Sequence, residues 1–227
     1  MQTLKFTILA SVVSAAFTAP VIAYTTGDFI LRGGSATVAP KNKSDNIHAY
    51  GNNGASAELN AQASANNDTQ LGLSFTYMMT DKLGIEVLAA TPFSHDLNGK
   101  GDLEGSDLGT IKHLPPTVSL QYYPMSQNSQ WQPYVGAGVN YTTFFSEETS
   151  RAMEADGYDS LSLDDSWGLS AQVGMDYLIN KNWGVNVSAM YIDLKTTATL
   201  GGEGKPELKG DYDLNPMVYR VNAVYRF

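Results

Sequence analysis

Several stretches of the chain alternate apolar and polar residues with a period of two, and this pattern constrains the fold most strongly. In QLGLSFTYMM (residues 70–79), one face carries Leu71, Leu73, Phe75, Tyr77 and Met79. The alternation recurs in residues 114–123, 135–142, 167–177, 184–191 and 217–227. Successive side chains of a β-strand point to opposite faces, so these stretches are predicted to be strands with one apolar face.

The spacing of the strands predicts how they connect. With residues 29–35 and 83–93 added, the sequence contains eight predicted strands. Short connections cover residues 80–82, 124–130 and 180–182, and long polar ones cover residues 38–66, 95–107, 146–160 and 195–211. Short turns and long loops therefore alternate along the chain. This arrangement is typical of an up-and-down meander with one short-turned rim.

The two faces of the strands distinguish a membrane barrel from a soluble one. The apolar face holds five or six residues in several strands, which suits the roughly 9 to 11 residues of a strand that crosses a bilayer. Its ends carry aromatic residues, as interfacial girdles do: Tyr77, Tyr122, Tyr141, Phe145, Tyr177, Trp183, Tyr191 and Tyr225. The opposite face is too polar to fill a soluble core. The predicted fold is all-β, an eight-stranded antiparallel up-and-down transmembrane β-barrel.

The N-terminus predicts export of the chain, and the composition excludes several kinds of partner and site. Lys5, the apolar segment 6–17 and the small or branched residues 21–23 resemble a cleaved signal peptide. We therefore expect a signal peptide at residues 1–23 and an outer-membrane barrel domain at residues 24–227. The net charge of −9 excludes the basic surface that a nucleic-acid partner would require. The chain has no cysteine, which excludes disulfides and thiolate metal sites.

A set of motifs, in order along the chain, resembles one family. The motifs are RGGSATVAP, NNDTQLGLSFTYMMTD, IEVLAATPF, HLPPT, PYVGAGVNYTTFF, DDSWG, VGMDYLIN and the terminal YRF. The chain resembles the OmpW family of small bacterial outer-membrane barrels over essentially the whole segment after residue 23. The loop segments 42–65 and 201–210 depart from the family pattern.

The resemblance implies a location, a function and a set of partners. It implies the outer membrane of a Gram-negative bacterium, with both termini in the periplasm, and passive passage of small hydrophobic molecules through an apolar lumen with a lateral exit. Tyr219, Tyr225 and Phe227 match the family's C-terminal assembly signal. The expected partners are outer-membrane lipids and lipopolysaccharide, small hydrophobic solutes and the assembly machinery. We expect a monomer without a cofactor or a metal.

Strand parity identifies apolar residues that face inward. Leu88 and Met190 interrupt the polar face, and they are predicted to form the lumen constriction, as the resemblance also implies. Met78, Ile192 and Val218 are further inward apolar positions. A passage for apolar solutes requires such residues to cluster at one depth. The alternative is that they simply plug the barrel, because eight strands enclose just enough space for side chains.

Prolines and charges mark other inward or irregular positions. Pro115 and Pro116 interrupt a strand pattern and predict a break in the ladder, either a lateral opening or a bulge at the rim. By parity, four charged residues face inward: Arg32, Glu86, Arg220 and Arg226. Buried charges need partners, so we expect Arg–Glu pairs that brace the barrel; ion selectivity is the alternative.

Histidines raise the question of catalysis. His48, His95 and His113 are the histidines of the chain, and Ser94, His95 and Asp96 form a local cluster. No G-x-S-x-G motif is present, and we interpret the cluster as part of a solvated loop rather than a catalytic site. The chain is therefore predicted not to be an enzyme. The alternatives to a channel are a structural or surface-receptor barrel without transport and a lipid-modifying enzyme.

Overall fold

The computed structural model describes residues 23–41, 43–51, 55–125 and 129–227, and this part of the chain is nearly all strand. The predicted signal peptide lies outside the described residues except for Ala23, and it stays a prediction. The described strands are β1 (Phe29–Ala39), β2 (Lys43–Ser44), β3 (His48–Tyr50), β4 (Ser56–Glu58), β5 (Ala61–Ala65), β6 (Asp68–Met78), β7 (Leu83–Ala90), β8 (Phe93–Gly101), β9 (Asp107–Leu114), β10 (Thr117–Tyr122), β11 (Trp131–Thr149), β12 (Ser160–Leu163), β13 (Ser166–Leu178), β14 (Trp183–Ile192), β15 (Lys195–Gly201), β16 (Glu207–Asp213) and β17 (Met217–Arg226).

A short helix, α1 (Arg151–Ala155), follows β11. The Ser150 side chain caps it by accepting a hydrogen bond from the backbone N–H of Met153. Among the described residues, no helix is long and apolar enough to cross a membrane.

Eight strands close into an antiparallel barrel. In the described chain, β1, β6, β7, β10, β11, β13, β14 and β17 pair in this order, and β17 returns to pair with β1. The closing register places Ile30 opposite Arg226 and Ala39 opposite Met217. The predicted fold class is confirmed. A closed barrel leaves no free edge, so the strands can satisfy their backbone groups in hydrocarbon.

The outer surface of the barrel is an apolar belt with aromatic residues at both ends; away from the short turns, Tyr141 packs against Trp167 with ring centroids 4.7 Å apart. Leu71, Val173 and Val221 each expose more than half of their surface, whereas the residues beside them on the same strands face inward. At the end with the short turns, which we call the turn end, Trp131 packs against Tyr177 with ring centroids 4.7 Å apart. We call the opposite end the loop end.

At the loop end the predicted loops are largely strands, so that part of the sequence prediction was wrong. The segments form β2 to β5, β8 and β9, the end of β11 with β12, and β15 and β16. Together they make an extension of the barrel that we call the cup. Its inward face is apolar, with small residues such as Ala61 and Ala63 buried beside larger aliphatic side chains. Strands β2 to β5 are only two to five residues long, so they show too few alternations to be identified from the sequence.

Prolines mark the junction between the cup and the eight-stranded barrel, which extends from the cup to the turn end and which we call the lower barrel. Five of the nine prolines of the chain lie there: Pro40, Pro92, Pro115, Pro116 and Pro216. The predicted strand 83–93 is split, since β7 ends at Ala90 and β8 begins at Phe93. Proline has no backbone N–H and cannot donate to a ladder, which explains the interruption.

Candidate functional site

The cup encloses an apolar cavity of about 370 Å3. Most of its lining is aliphatic and comes from several separate strands: Ile47, Leu97, Leu108, Ile111, Leu161, Leu200, Leu208 and Leu214, with Met153 from α1. Tyr158 and Tyr212 supply aromatic surface. A cavity of this size and composition is suited to a small apolar molecule.

The bottom of the cavity is a cluster of buried apolar side chains that we call the floor: Ala36, Val38, Leu88, Phe93, Ile111, Phe144, Met190, Ile192, Leu194 and Val218. Ile111 lines the cavity as well, so the two are continuous. Leu88 and Met190, the predicted constriction, both lie in the floor, with Met190 completely buried. Ile192 and Val218 lie beside them.

Met78 lies at a different depth from the other inward apolar residues. It is completely buried, but it packs with Tyr24, Ile30 and Tyr123 near the turn end. The inward apolar residues therefore divide into two layers rather than one. The sequence prediction of a single depth was wrong for Met78, because strand parity gives the face of a residue but not its height relative to other strands.

A buried network of charged residues separates these two layers. Arg220 Nη1 lies 3.4 Å from Glu86 Oε1, and Gln172 Nε2 donates to Glu86 Oε2 at 2.7 Å. Arg32 Nη2 lies 2.6 Å from Asp176 Oδ2 and Arg32 Nη1 lies 3.9 Å from Glu86 Oε1. Arg32, Glu86 and Arg220 thus face inward, and the two arginines pair with the carboxylates of Glu86 and Asp176.

Asp176 and Tyr24 are the interior residues that sequence reasoning missed. Asp176 is completely buried, and it accepts hydrogen bonds from Tyr24 Oη at 2.7 Å and Asn186 Nδ2 at 2.6 Å. Its inward parity in WGLSAQVGMDY was a usable signal, since an inward carboxylate requires a cationic partner. The Tyr123 ring contacts the rings of Tyr24 and Tyr134, and all three tyrosines are buried.

The remaining predicted residues lie at the turn end or outside the barrel. Arg226 pairs with Asp28 through a 2.9 Å contact between Nε and Oδ2. Tyr219 and Phe227 expose more than half of their surface on the outer face. Tyr225 packs against Trp183 with ring centroids 4.8 Å apart. The C-terminal residues proposed as an assembly signal are thus on the outward face of β17.

Beside the floor, the backbone ladder on one side of β8 is interrupted. Pairing of β6 with β7 ends where Gly72 lies opposite Ala90, and pairing of β5 with β8 begins where Ala65 lies opposite Leu97. The segments between these points, residues 66–71 and 91–96, form what we call the β6–β8 seam.

Side chains and two isolated backbone hydrogen bonds bridge the β6–β8 seam. The backbone N–H of Thr91 donates to the Leu71 carbonyl oxygen at 2.9 Å, and that of Asn66 donates to the Asp96 carbonyl oxygen at 3.4 Å. The backbone N–H of Ser94 donates to Asp68 Oδ2 at 2.8 Å, and that of Leu71 donates to Thr91 Oγ1 at 3.2 Å. Thr91 Oγ1 also lies 3.2 Å from Gln70 Oε1. Side-chain hydrogen bonds can therefore exchange for water here without breaking a continuous strand pairing.

A second interruption flanks the same stretch on its other side. Pairing of β7 with β10 ends with Leu88 opposite Thr117, and pairing of β8 with β9 starts with Phe93 opposite His113. The residues between, 89–92 and 114–116, form the β7–β10 seam, which includes Pro115 and Pro116. Asn140 Nδ2 donates to the carbonyl oxygens of both prolines, at 3.1 and 3.2 Å, and fixes them to β11.

Two histidines link the β6–β8 seam to the neighbouring strand β9. His95 Nδ1 lies 2.6 Å from the carbonyl oxygen of Asn66, and His95 Nε2 lies 2.9 Å from His113 Nε2. His95 is 2% exposed, so the interpretation of this segment as a solvated loop was wrong. The alternation of small and polar residues around His95 did not show that its ring faces inward.

The histidines are held neutral by their surroundings. The neighbouring outward residues Asp96 and Lys112 are exposed and charged, which places this part of the wall outside the apolar belt. Burial, and then the His95 ring, lower the pKa of His113 from 6.5 to about 3. Burial also lowers the pKa of His95, against the opposing effects of the Asn66 carbonyl and the Asp68 carboxylate.

A closed eight-stranded barrel with an apolar outer belt, aromatic ends and an interior of paired charges is an outer-membrane β-barrel. The model of the OmpW family matches residues 25–227. The chain belongs to the OmpW family, and the resemblance seen in its motifs is confirmed. Its place is the outer membrane of a Gram-negative bacterium.

Individual relatives agree with this assignment. The chain is 45% identical over 221 residues to outer membrane protein W of Vibrio cholerae, covering 96% of both chains. The crystal structure of the outer membrane protein OprG from Pseudomonas aeruginosa superposes with a TM-score of 0.84 at 46% identity, covering 90% of this chain and 98% of that one. A more distant relative, 30% identical over 159 residues and covering 70% of this chain and 72% of its own, is named dibenzothiophene metabolism operon protein PahQ of Pseudomonas aeruginosa.

The buried network predicts a large stability loss when one carboxylate is neutralised. Asp176→Asn leaves the completely buried Arg32 without its nearest anion. We expect the free energy of unfolding, measured by urea titration in lipid vesicles, to fall by about 3 kcal/mol. Asp213→Asn is the control, since it removes an exposed partner of Lys195 at 3.6 Å and should cost under about 1 kcal/mol. Equal losses in both variants would contradict a stabilising network.

The histidine pair predicts a stability loss in acid. The folded chain keeps His113 neutral to about pH 3, whereas the unfolded chain binds a proton near pH 6.5, so stability falls as the pH drops through this window. Between pH 7.5 and 5, the native chain should lose about 2 kcal/mol more unfolding free energy than His113→Phe. Subtracting the variant removes the contribution of the carboxylates. An equal loss of unfolding free energy in the native chain and in His113→Phe would show that His113 is not held neutral in the folded chain.

Proposed function

We propose that this barrel admits small hydrophobic molecules from the loop side and releases them sideways into the outer membrane by passive diffusion. The cup and the loop end face outward, and both termini and the short turns face the periplasm. The protein acts without a cofactor and without catalysis. The observation that carries the proposal is an apolar cavity whose floor ends beside two interrupted strand pairings.

The interior below the floor supports a lateral rather than a straight route. Glu86 is the next inward residue below Leu88 on β7, and Arg220 is the next inward residue below Val218 on β17. Both charged side chains are buried. An apolar molecule moving further down would have to separate paired charges and leave them without partners, which is strongly unfavourable. The path of lower cost leads from the floor through the wall.

The wall beside the floor supports an exit at Thr91 and Pro92. Both seams flank this stretch, and the floor residues Leu88 and Phe93 lie on either side of it. Side chains and two isolated backbone hydrogen bonds, rather than a continuous backbone ladder, close the β6–β8 seam. The name of the relative PahQ also fits a hydrophobic solute, since dibenzothiophene is an apolar aromatic molecule.

The competing function is a structural or surface-receptor barrel without transport. The buried ion pairs favour it, because they close the lower lumen as a plug would. The two functions make opposite predictions for the β6–β8 seam. The seam must open if the barrel is a passage, and it stays closed if the barrel is purely structural.

A disulfide across the β6–β8 seam tests the exit. The chain has no cysteine of its own, so Asp68→Cys combined with Ser94→Cys introduces one defined pair, whose closure is verified by mass. In vesicles bearing lipopolysaccharide, we expect uptake of labelled p-xylene to fall to the protein-free level when the pair is oxidised and to recover on reduction.

The matched control carries Lys195→Cys and Asp213→Cys, which face each other in the continuous β15–β16 ladder. Oxidation of this pair should leave uptake unchanged. Uptake that ignores the seam disulfide would contradict the lateral exit. Uptake of p-xylene no faster than in empty vesicles before oxidation would contradict transport altogether and favour the structural barrel.

Truncation of the floor tests the constriction. Leu88→Ala and Met190→Ala remove buried side chains at the bottom of the cavity, so uptake of naphthalene relative to the narrower p-xylene should rise severalfold. Met78→Ala is the control, since it removes an equally buried methionine below the charged network. A size preference that changes equally in all three variants, or in none, would count against a constriction at the floor.

A further inference from the structure

The contact of His95 with the Asn66 carbonyl oxygen determines the direction of the hydrogen bonds in the histidine pair. A carbonyl oxygen can only accept, so the 2.6 Å contact places a hydrogen on His95 Nδ1. In a neutral imidazole the other nitrogen is then an acceptor, so the 2.9 Å contact between the two Nε2 atoms requires the hydrogen on His113. His113 Nδ1 is left as an acceptor.

This acceptor is buried and unsatisfied. Among the described residues, His113 Nδ1 has no hydrogen-bond partner. The ring is stacked on Phe93 at 5.5 Å between centroids and contacts Phe144 at 5.7 Å, and both phenylalanines belong to the floor. A buried acceptor without a donor is costly, and an external donor at this point would remove the cost.

A small cavity borders the ring. It measures about 20 Å3, and His95, His113, Thr142 and Phe144 contribute to its walls. That volume holds about one water molecule or one hydroxyl group. Ile111 and Leu214 line both this cavity and the large one in the cup, so the small cavity is a recess beside the apolar path. Its walls are mostly apolar, and their polar side chains are His95, His113 and Thr142.

The polar groups of the recess offer acceptors, because their hydrogens are already used. His95 Nδ1 donates to Asn66, His113 Nε2 donates to His95, and the Thr142 hydroxyl donates to Asn140 Oδ1 at 2.7 Å. The unused lone pairs are on His113 Nδ1 and Thr142 Oγ1. Such a recess distinguishes a hydrogen donor from a pure acceptor.

We propose that the recess is a hydroxyl-binding subsite, with His113 Nδ1 as the acceptor, and that it selects neutral apolar alcohols and phenols over hydrocarbons and ethers of the same size. The apolar body lies in the cup and the hydroxyl enters the recess. The neutral state of His113 at physiological pH, which follows from its lowered pKa, keeps the acceptor available. The subsite deepens the proposed function and, for its role in selection, rests on it.

Three probes of nearly equal shape test the subsite directly. p-Cresol carries a hydroxyl donor, 4-methylanisole carries an oxygen that only accepts, and p-xylene carries neither. In the full barrel in lipid bilayers with 15N-labelled histidine, we expect p-cresol to move the His113 Nδ1 signal and the other two probes to leave it in place. An unmoved signal with p-cresol, or equal movement with all three probes, would overturn the proposal.

Flux measurements test the same subsite through variants. His113→Phe should lower the ratio of p-cresol to p-xylene uptake by about three- to tenfold, the value of one hydrogen bond, and Thr142→Val should lower it less. His48→Phe makes the same replacement at a half-buried position in β3 and should leave the ratio unchanged. An unchanged ratio in His113→Phe, or an equal change in His48→Phe, would overturn the subsite.

The outcomes separate the subsite from the passage. Should His113→Phe fail to fold, the 15N experiment on the native chain and the Thr142→Val variant still decide the proposal. A moved nitrogen signal in a barrel that takes up none of the probes would support hydroxyl binding and contradict transport. Uptake of p-xylene and p-cresol with an unmoved signal would support the passage and overturn the subsite.

Discussion

The rest of the structure depends on the requirement that backbone polar groups pair with one another inside a membrane. Hydrocarbon offers no hydrogen bonds, so the eight strands close on themselves and leave alternate side chains pointing outward to lipid. Closure fixes the interior as well, because the ladder uses the backbone groups and leaves inward polar side chains to pair among themselves. Arg32 with Asp176 and Arg220 with Glu86 are the result. They join strands that are not neighbours and so brace the barrel across its lumen.

The interior of the barrel has an apolar upper part and a charged lower part. Successive inward side chains change from Val218 to Arg220 on β17 and from Leu88 to Glu86 on β7, so the change takes two residues along each strand. Two residues span about 7 Å along a strand. An apolar molecule at the floor is therefore separated from buried charge by about its own length. The boundary gives the upper half an apolar cavity and the lower half an interior of paired charges.

The sequence predicted the lower barrel well because its strands separate two contrasting environments, lipid and a polar interior. Parity then assigned Leu88, Met190 and Glu86 to the inward face correctly. The cup escaped prediction, since strands β2 to β5 are only two to five residues long and inward alanines such as Ala63 contrast weakly with their polar neighbours. The partnership of Arg32 with Asp176 spans 144 positions, and the seams depend on register between strands. Neither is contained in the pattern of any single strand.

The position of the seams follows from the same requirement that backbone polar groups be paired inside the membrane. An interrupted ladder within the apolar belt would leave N–H and C=O groups without partners, whereas an interruption at its border can be satisfied by side chains or water. At the β6–β8 seam Asp68 and Thr91 supply these substitutes, and at the β7–β10 seam Asn140 does so for Pro115 and Pro116. The exit that we propose for apolar molecules therefore lies at the junction, where the floor, the prolines and the upper edge of the belt meet.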